Sequence, residues 1–473
     1  MPDQRPNLIF INTDQQRGDC LGVEGHPVLL TPNMDGIAAA GVRFTHFYSG
    51  CPSCIATRRS MLAGQTAQTH GMIGYRGLTE WDAPPTLPGV LRDHGYQTRL
   101  IGRSMHQHPP RKRYGFEEME TECHTGAHDY LEWLKRVGPD DAGGTYGGGV
   151  MHNDWTARPW YLPEHLHFTN WVLHRTLHFL ENRDPSCPYF LTMGFVAPHP
   201  PLHPPAHYFE RYLRTGVPEP VIGDWAEAPG FGEGGEHVAP NRVNLTGEAL
   251  LSARAGYYGL INHVDDQLRR LLNPVVGIGR DLDRDTIVVF TADHGEMLGD
   301  HYTWRKSRAY EPAARVPFIV RAPEHFGLRR ATTVDAPCTH ADIMPTLLEM
   351  AGIEVPDTCD GRSLLPLMRG EPVPWREYVH IEHVAEHMGL TDGRTKYIWD
   401  PKDGGEQLFD LVADPTECHD LSAHPDHADR LALWRGRLID ELRDRPEGFV
   451  QDGRLVVGLE WRSFIPGKED RSP

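Results

Sequence analysis

Nowhere does an apolar run approach the roughly 20 residues that span a bilayer, so no membrane partner is expected. A cationic leader with a longer apolar segment and a small-residue cleavage site is also missing ahead of Leu8-Ile-Phe-Ile11, and a cytoplasmic location is expected. Positive charge is in deficit: 47 Lys and Arg stand against 65 Asp and Glu, a formal charge of −18. That balance excludes a general binder of nucleic acid or anionic lipid, and an anionic substrate would need a basic pocket inside a negative envelope. Cysteine occurs eight times (20, 51, 54, 123, 187, 338, 359 and 418) without the pair of pairs that marks a zinc site. Cys51-x-x-Cys54 has no partner cluster, and reduced thiols are the simplest account.

The composition, 39% hydrophobic and 24% charged, is that of an ordinary globular protein. A chain of 473 residues is long for one core, so a large domain (1–370) and a smaller one (371–473) are expected. Short apolar runs at Leu8–Asn12, Tyr96–Ile101, Tyr189–Met193 and Thr286–Phe290 read as strands. Between them stand helix signals: Thr31 as cap before Asn33–Ala40, Thr169 before Asn170–Leu180, and apolar residues at helical spacing from Tyr257 to Leu271. In such an α/β arrangement, ligands bind where strands end at their carboxyl side. Asp14 and Gln15 follow the first strand, and Asp293 and His294 follow Thr286–Phe290. Two carboxylates, an amide oxygen and an imidazole can hold one divalent cation.

Cys54 opens a run that carries Arg58 and ends at Gly64, which suits a helix whose first turn presents the thiol among free N–H groups. A buried structural cysteine is the alternative. His199 sits in Ala197-Pro198-His199-Pro-Pro201, where prolines fix the backbone of a positioned acid or of a packed loop histidine. Residues 121–158, rich in glycine and polar groups, form an excursion expected over the active-site face, and residues 205–245 form a second, glycine- and proline-rich one. Asp265-Asp266 lies on a helix and is not read as a metal site, while His380, His383 and His387 lie where they could reach a pocket rim.

Cys54-x-Ala-Thr-Arg58-x-Ser-x-Leu-x-Gly64 resembles the signature of the type I sulfatases, Cys-x-Pro-Ser-Arg followed by Leu-x-Gly, with departures at Ala56 and Thr57. Gly102-Arg103-Ser-Met-His106 is similar to that family's Gly-Lys-x-His, with Arg for Lys and the histidine one residue later. Pro198-His199-Pro-Pro201, Asp293-His294-Gly295 and Lys306 in Trp304-Arg-Lys-Ser-Arg308 follow in family order, and the resemblance runs from about residue 6 to 422. It implies the alkaline phosphatase superfamily fold: a large mixed, mostly parallel sheet flanked by helices, with a smaller C-terminal α+β subdomain.

The resemblance also implies a chemistry. Cys54 would be oxidised to formylglycine by a maturation enzyme, and its hydrate would attack a small anionic sulfate ester. Asp14, Gln15, Asp293 and His294 would hold a divalent metal, Ca2+ ahead of Mn2+ or Mg2+. Arg58 would hold the hydrate, Lys306 and Arg103 would stabilise charge, His199 would assist the leaving alcohol, and His106 would take the second hydroxyl proton. The Asp-Gln and Asp-His pairs resemble those of choline sulfatases and phosphonate or phosphodiester hydrolases, so a phosphonate monoester or phosphodiester hydrolase is the alternative. A silent anion-binding protein is a third reading, and a homo-oligomer is left open.

Overall fold

The computed structural model describes residues 5–104, 106–122, 128–140, 142–230, 241–383, 387–460 and 462–470. Met105 and Cys123 thus lie outside the described residues, as does the middle of the second excursion. The strands, in chain order, are β1 (Asn7–Asp14), β2 (Val42–Phe44), β3 (Phe47–Tyr48), β4 (Gln97–Arg103), β5 (Glu118–Glu122), β6 (Tyr189–Pro198), β7 (Thr286–Ala292), β8 (Phe318–Arg321) and β9 (Thr332–Val334). Eight of them form one sheet in the order β5-β4-β6-β1-β7-β8-β2-β9, and β3 pairs separately with β10 (Cys338–Thr339). From β5 to β7 every pairing is parallel; β8 runs antiparallel to both its neighbours.

Period-two alternation along the central strands divides the core. Ile9, Ile11, Val288 and Phe290 face the helices Phe168–Asn182 and Gly247–Leu271. Leu8, Phe10, Ile287 and Val289 face the other side, with Leu87, Leu91, Met344 and Leu348. A sheet buried on both faces requires the near-continuous apolar runs that mark these strands.

Two expected caps are replaced. The Thr31 hydroxyl accepts from Gly22 N–H and donates to Asp35, and the start of the helix Pro32–Ala39 is capped instead by Asp265, which accepts from the N–H groups of Asn33 and Met34. Asp265 is therefore structural. Ahead of Phe168–Asn182 the cap is His167, whose Nδ1 accepts from Thr169 N–H. The second excursion opens with a helix, Ala206–Thr215, burying Tyr208, Phe209 and Tyr212.

After residue 370 comes a four-stranded antiparallel sheet of β11 (Val379–His383), β12 (His387–Thr391), β13 (Thr395–Trp399) and β14 (Glu406–Asp410). Tyr397, Trp399 and Leu408 pack on Leu431, Trp434 and Leu438 of the helix Ala428–Leu442. Ile381, Ile398 and Phe409 face the large domain through Tyr48, Met297 and Tyr310. Among the described residues no helix is long and apolar enough to cross a membrane.

Candidate active site

Five adjacent parallel strands deliver a charged or ring-nitrogen side chain at or just past their carboxyl ends: Glu122 from β5, Arg103 from β4, His199 after β6, Asp14 from β1, and Asp293-His294 after β7. The register accounts for the convergence, because Asp14 pairs with Pro198 and Thr13 with Ala292, so the three strands end level. The helix Cys54–Ala63 points its first residue at this edge, and the loop after β7 adds Lys306.

The two aspartates are held from behind. Arg58 donates through Nε to Asp293 Oδ2 (2.9 Å) and through Nη2 to Asp14 Oδ2 (3.2 Å); Arg103 Nε also donates to Asp14 Oδ2 (3.0 Å) and its Nη1 to Glu122 Oε2 (3.2 Å). Asp293 Oδ1 accepts from the N–H groups of Gln15 and His294. The forward oxygens meet His294, whose Nε2 lies 3.7 Å from Asp14 Oδ1 and 3.6 Å from Asp293 Oδ1. Cys54 Sγ stands before them, 3.2 Å from His294 Nε2, 3.9 Å from Asp14 Oδ1 and 2.9 Å from Lys306 Nζ. Lys306 Nζ also donates to Gln15 Oε1 (3.3 Å) and lies 3.2 Å from His199 Nε2. His199 Nδ1–H donates to Pro200 O (2.7 Å), which leaves Nε2 facing the site.

Burial would raise the Asp14 carboxyl, but His199, Arg103 and Arg58 outweigh it and hold it well below the usual range. Burial and Asp14 push the Cys54 thiol up; Lys306 and His294 prevail and bring it below its ordinary value. Burial pulls Lys306 down, yet the thiol and Asp14 hold the ammonium above its usual range. Burial, then Lys306, pulls the His199 imidazole well below its usual range.

The ligand atoms of Asp14, Cys54, Asp293 and His294 all lie within 4.8 Å of one another, and all four residues are buried. Two carboxylates bracing one imidazole around a common point form a donor set that fits a divalent cation. Gln15, with a left-handed backbone (φ 71°), turns its amide oxygen toward Lys306 beside that set. The structure thus brings together Asp14, Gln15, Cys54, Arg58, Arg103, His199, Asp293, His294 and Lys306. His106 is placed beside Tyr75, their rings edge-on with centroids 6.4 Å apart.

Several contributors escaped sequence reasoning. Glu122 gives Arg103 its second carboxylate, and His152, from the first excursion, stacks on His199 at 4.5 Å between ring centroids. Of the three C-terminal histidines, His387 Nε2 lies 3.0 Å from Arg308 Nη1. Burial, followed by Arg308 and Lys306, pushes His383 down to about 4, whereas His380 accepts from Gln68 instead. A polar residue at a strand's end was the available signal for Glu122; none marked His152.

A family model described as sulfatase matches residues 6–353, and one described as the C-terminal part of N-sulphoglucosamine sulphohydrolase matches residues 299–444. The chain is 37% identical to an arylsulfatase of Clostridium perfringens, over 96% of this chain and 98% of that one. A choline-sulfatase of Rhizobium meliloti is 30% identical, over 90% of this chain and 84% of its own length. Among solved structures, the phosphonate monoester hydrolase of Agrobacterium radiobacter superposes with a TM-score of 0.77 at 25% identity, covering 92% of this chain and 95% of that one. On the match to the family model, on these relatives and on the five strand ends that meet at one centre, the chain belongs to the sulfatase family and is a sulfuric ester hydrolase.

Proposed function

We propose that the chain hydrolyses a small sulfate ester at residue 54, and the observation that supports this most is the meeting of Asp14, Cys54, Asp293 and His294 with Lys306 and His199. Residue 54, matured to formylglycine, would supply a hydrate hydroxyl for attack on sulfur, while a divalent cation (Ca2+ ahead of Mn2+ or Mg2+) would neutralise the sulfuryl oxygens. Lys306 offers its ammonium to those oxygens from within 2.9 Å of the residue 54 side chain. An arriving anionic ester opposes the effect of Lys306 on His199, favouring a proton on Nε2 that the departing alcohol can take. Arg58 and Arg103 act through Asp14 and Asp293, which they hold in place. His106 takes the second hydroxyl proton; a burst of one equivalent of alcohol before slow turnover in His106→Ala checks that role.

A phosphonate monoester reading keeps the same nucleophile, and the Gln15 and His294 positions favour it, as does the likeness to a phosphonate monoester hydrolase. Relative kcat/KM on an aryl sulfate and the matching aryl phosphonate separates the two. Faster sulfate turnover is expected, and a reversed ratio would move the assignment to phosphonates.

A further inference from the structure

The loop from Met297 to Ser307 is unusual in its backbone. Leu298, His301, Tyr302, Arg305 and Ser307 all have positive φ, between 51° and 71°, and none is glycine. Each such residue is disfavoured against a right-handed one, so the loop persists only if its surroundings dictate it. Lys306 stands between two of them, Arg305 and Ser307. On one side, Ser307 N–H donates to Pro52 O (3.1 Å), two residues before Cys54. On the other, Arg305 N–H donates to the carboxylate of Glu296.

Glu296 is buried, 3% exposed, and its carboxylate is shared. Oε1 accepts from the N–H groups of Arg305 and Leu298, the latter at 2.9 Å, which closes both ends of the loop on one oxygen. Oε2 accepts from the side-chain N–H of Gln15. An amide held by its nitrogen must turn its oxygen the other way, and Gln15 Oε1 duly faces Lys306 Nζ at 3.3 Å.

We propose that Glu296 is a positioning residue that sets two members of the site at once. It orients the Gln15 amide so that oxygen, not nitrogen, faces the cation and ester, and it anchors the strained loop that presents Lys306. The inference rests on the proposed roles of Gln15 and Lys306 in sulfate-ester hydrolysis. A carboxylate is required because only an acceptor-only group serves three N–H donors without setting an N–H against Gln15.

Glu296→Gln tests this. Its amide oxygen can still take the Arg305 and Leu298 N–H groups, but its NH2 then faces the NH2 of Gln15, and the Gln15 amide must turn. Expected are a melting temperature near the parent's, divalent-cation affinity lowered about 10–100-fold in chelator competition, and kcat lowered similarly with a smaller change in KM. The paired change Gln15→Glu with Glu296→Gln restores a matched donor and acceptor, and should recover at least about tenfold in cation affinity over Glu296→Gln alone. Parent-like cation affinity and kcat in Glu296→Gln, or a paired variant no better than the single one, would overturn the proposal. Cation affinity is read without turnover, so a parent enzyme inactive on sulfate esters would sink the functional reading and leave the Glu296 result interpretable.

Discussion

Two clusters of buried charge invite comparison, one at the strand ends and one beneath the C-terminal sheet. In the second, Lys396 Nζ lies 2.8 Å from Glu311 Oε1 and 2.9 Å from Glu417 Oε1, and the other Glu417 oxygen accepts from Glu311 N–H. Burial, then the neighbouring charges, leaves Glu417 near 7, while Lys396 and Arg315 overcome burial to hold Glu311 low. These charges are turned on one another, with Arg315 on the second Glu311 oxygen and the Tyr48 ring beside Lys396. At the strand ends, Arg58 and Arg103 occupy only the rear oxygens of the carboxylates, and the forward oxygens share a space with His294, Cys54 and Lys306. Buried charge alone therefore does not make a site. What distinguishes one is that its groups are fixed from behind and directed at a common point.

Substitutions should separate the clusters by what they damage. The largest effect is expected from Cys54→Ala, which removes the nucleophile's precursor: turnover should fall on the order of 10^4-fold or more while the unfolding midpoint stays near the parent's. Lys306→Ala should lower kcat by roughly 10^2–10^3-fold, measured on the same ester, with little change in stability. Lys396→Met should do the reverse. It removes the cation that Glu311 and Glu417 share and leaves Glu311 with Arg315 alone, and denaturant unfolding should show about 3–5 kcal/mol of lost stability with kcat per folded molecule unchanged. A catalytic defect in Lys396→Met at full folding would break the comparison.

A smaller effect concerns pH. Burial lowers His203 from the usual 6.5 to about 4, so the folded state binds fewer protons than the unfolded one between those values. Stability is thus fully present above about 6.5 and falls as pH drops toward 4, by up to about 3 kcal/mol from this residue. His203→Gln should flatten that part of the stability profile. An unchanged slope would show that the imidazole does not titrate there on unfolding.

Much of the site was legible because its residues directly follow apolar runs. Asp14, Asp293 and His294 sit where such runs stop, and Cys54 opens a helix closed by Gly64. What was not legible depends on distant partners. Asp265 caps a helix more than 200 positions away, and Glu122 meets Arg103 only once β4 and β5 align. β11 and β12 went unseen as strands because His380, Glu382, His383 and His387 interrupt their apolar residues on both faces, a pattern that reads as loop. Arg103 reads as a charge donor in sequence, and its place between two carboxylates emerged only in three dimensions.

The central claim is that residue 54 is the matured nucleophile. The most direct test is the mass of the tryptic peptide Phe44–Arg58 from protein made in its native host, with fragmentation to separate Cys54 from Cys51. Expected is a peptide in which residue 54 has exchanged SH and H for an aldehyde oxygen while Cys51 remains a thiol. An unmodified thiol at residue 54 in fully active enzyme would contradict it.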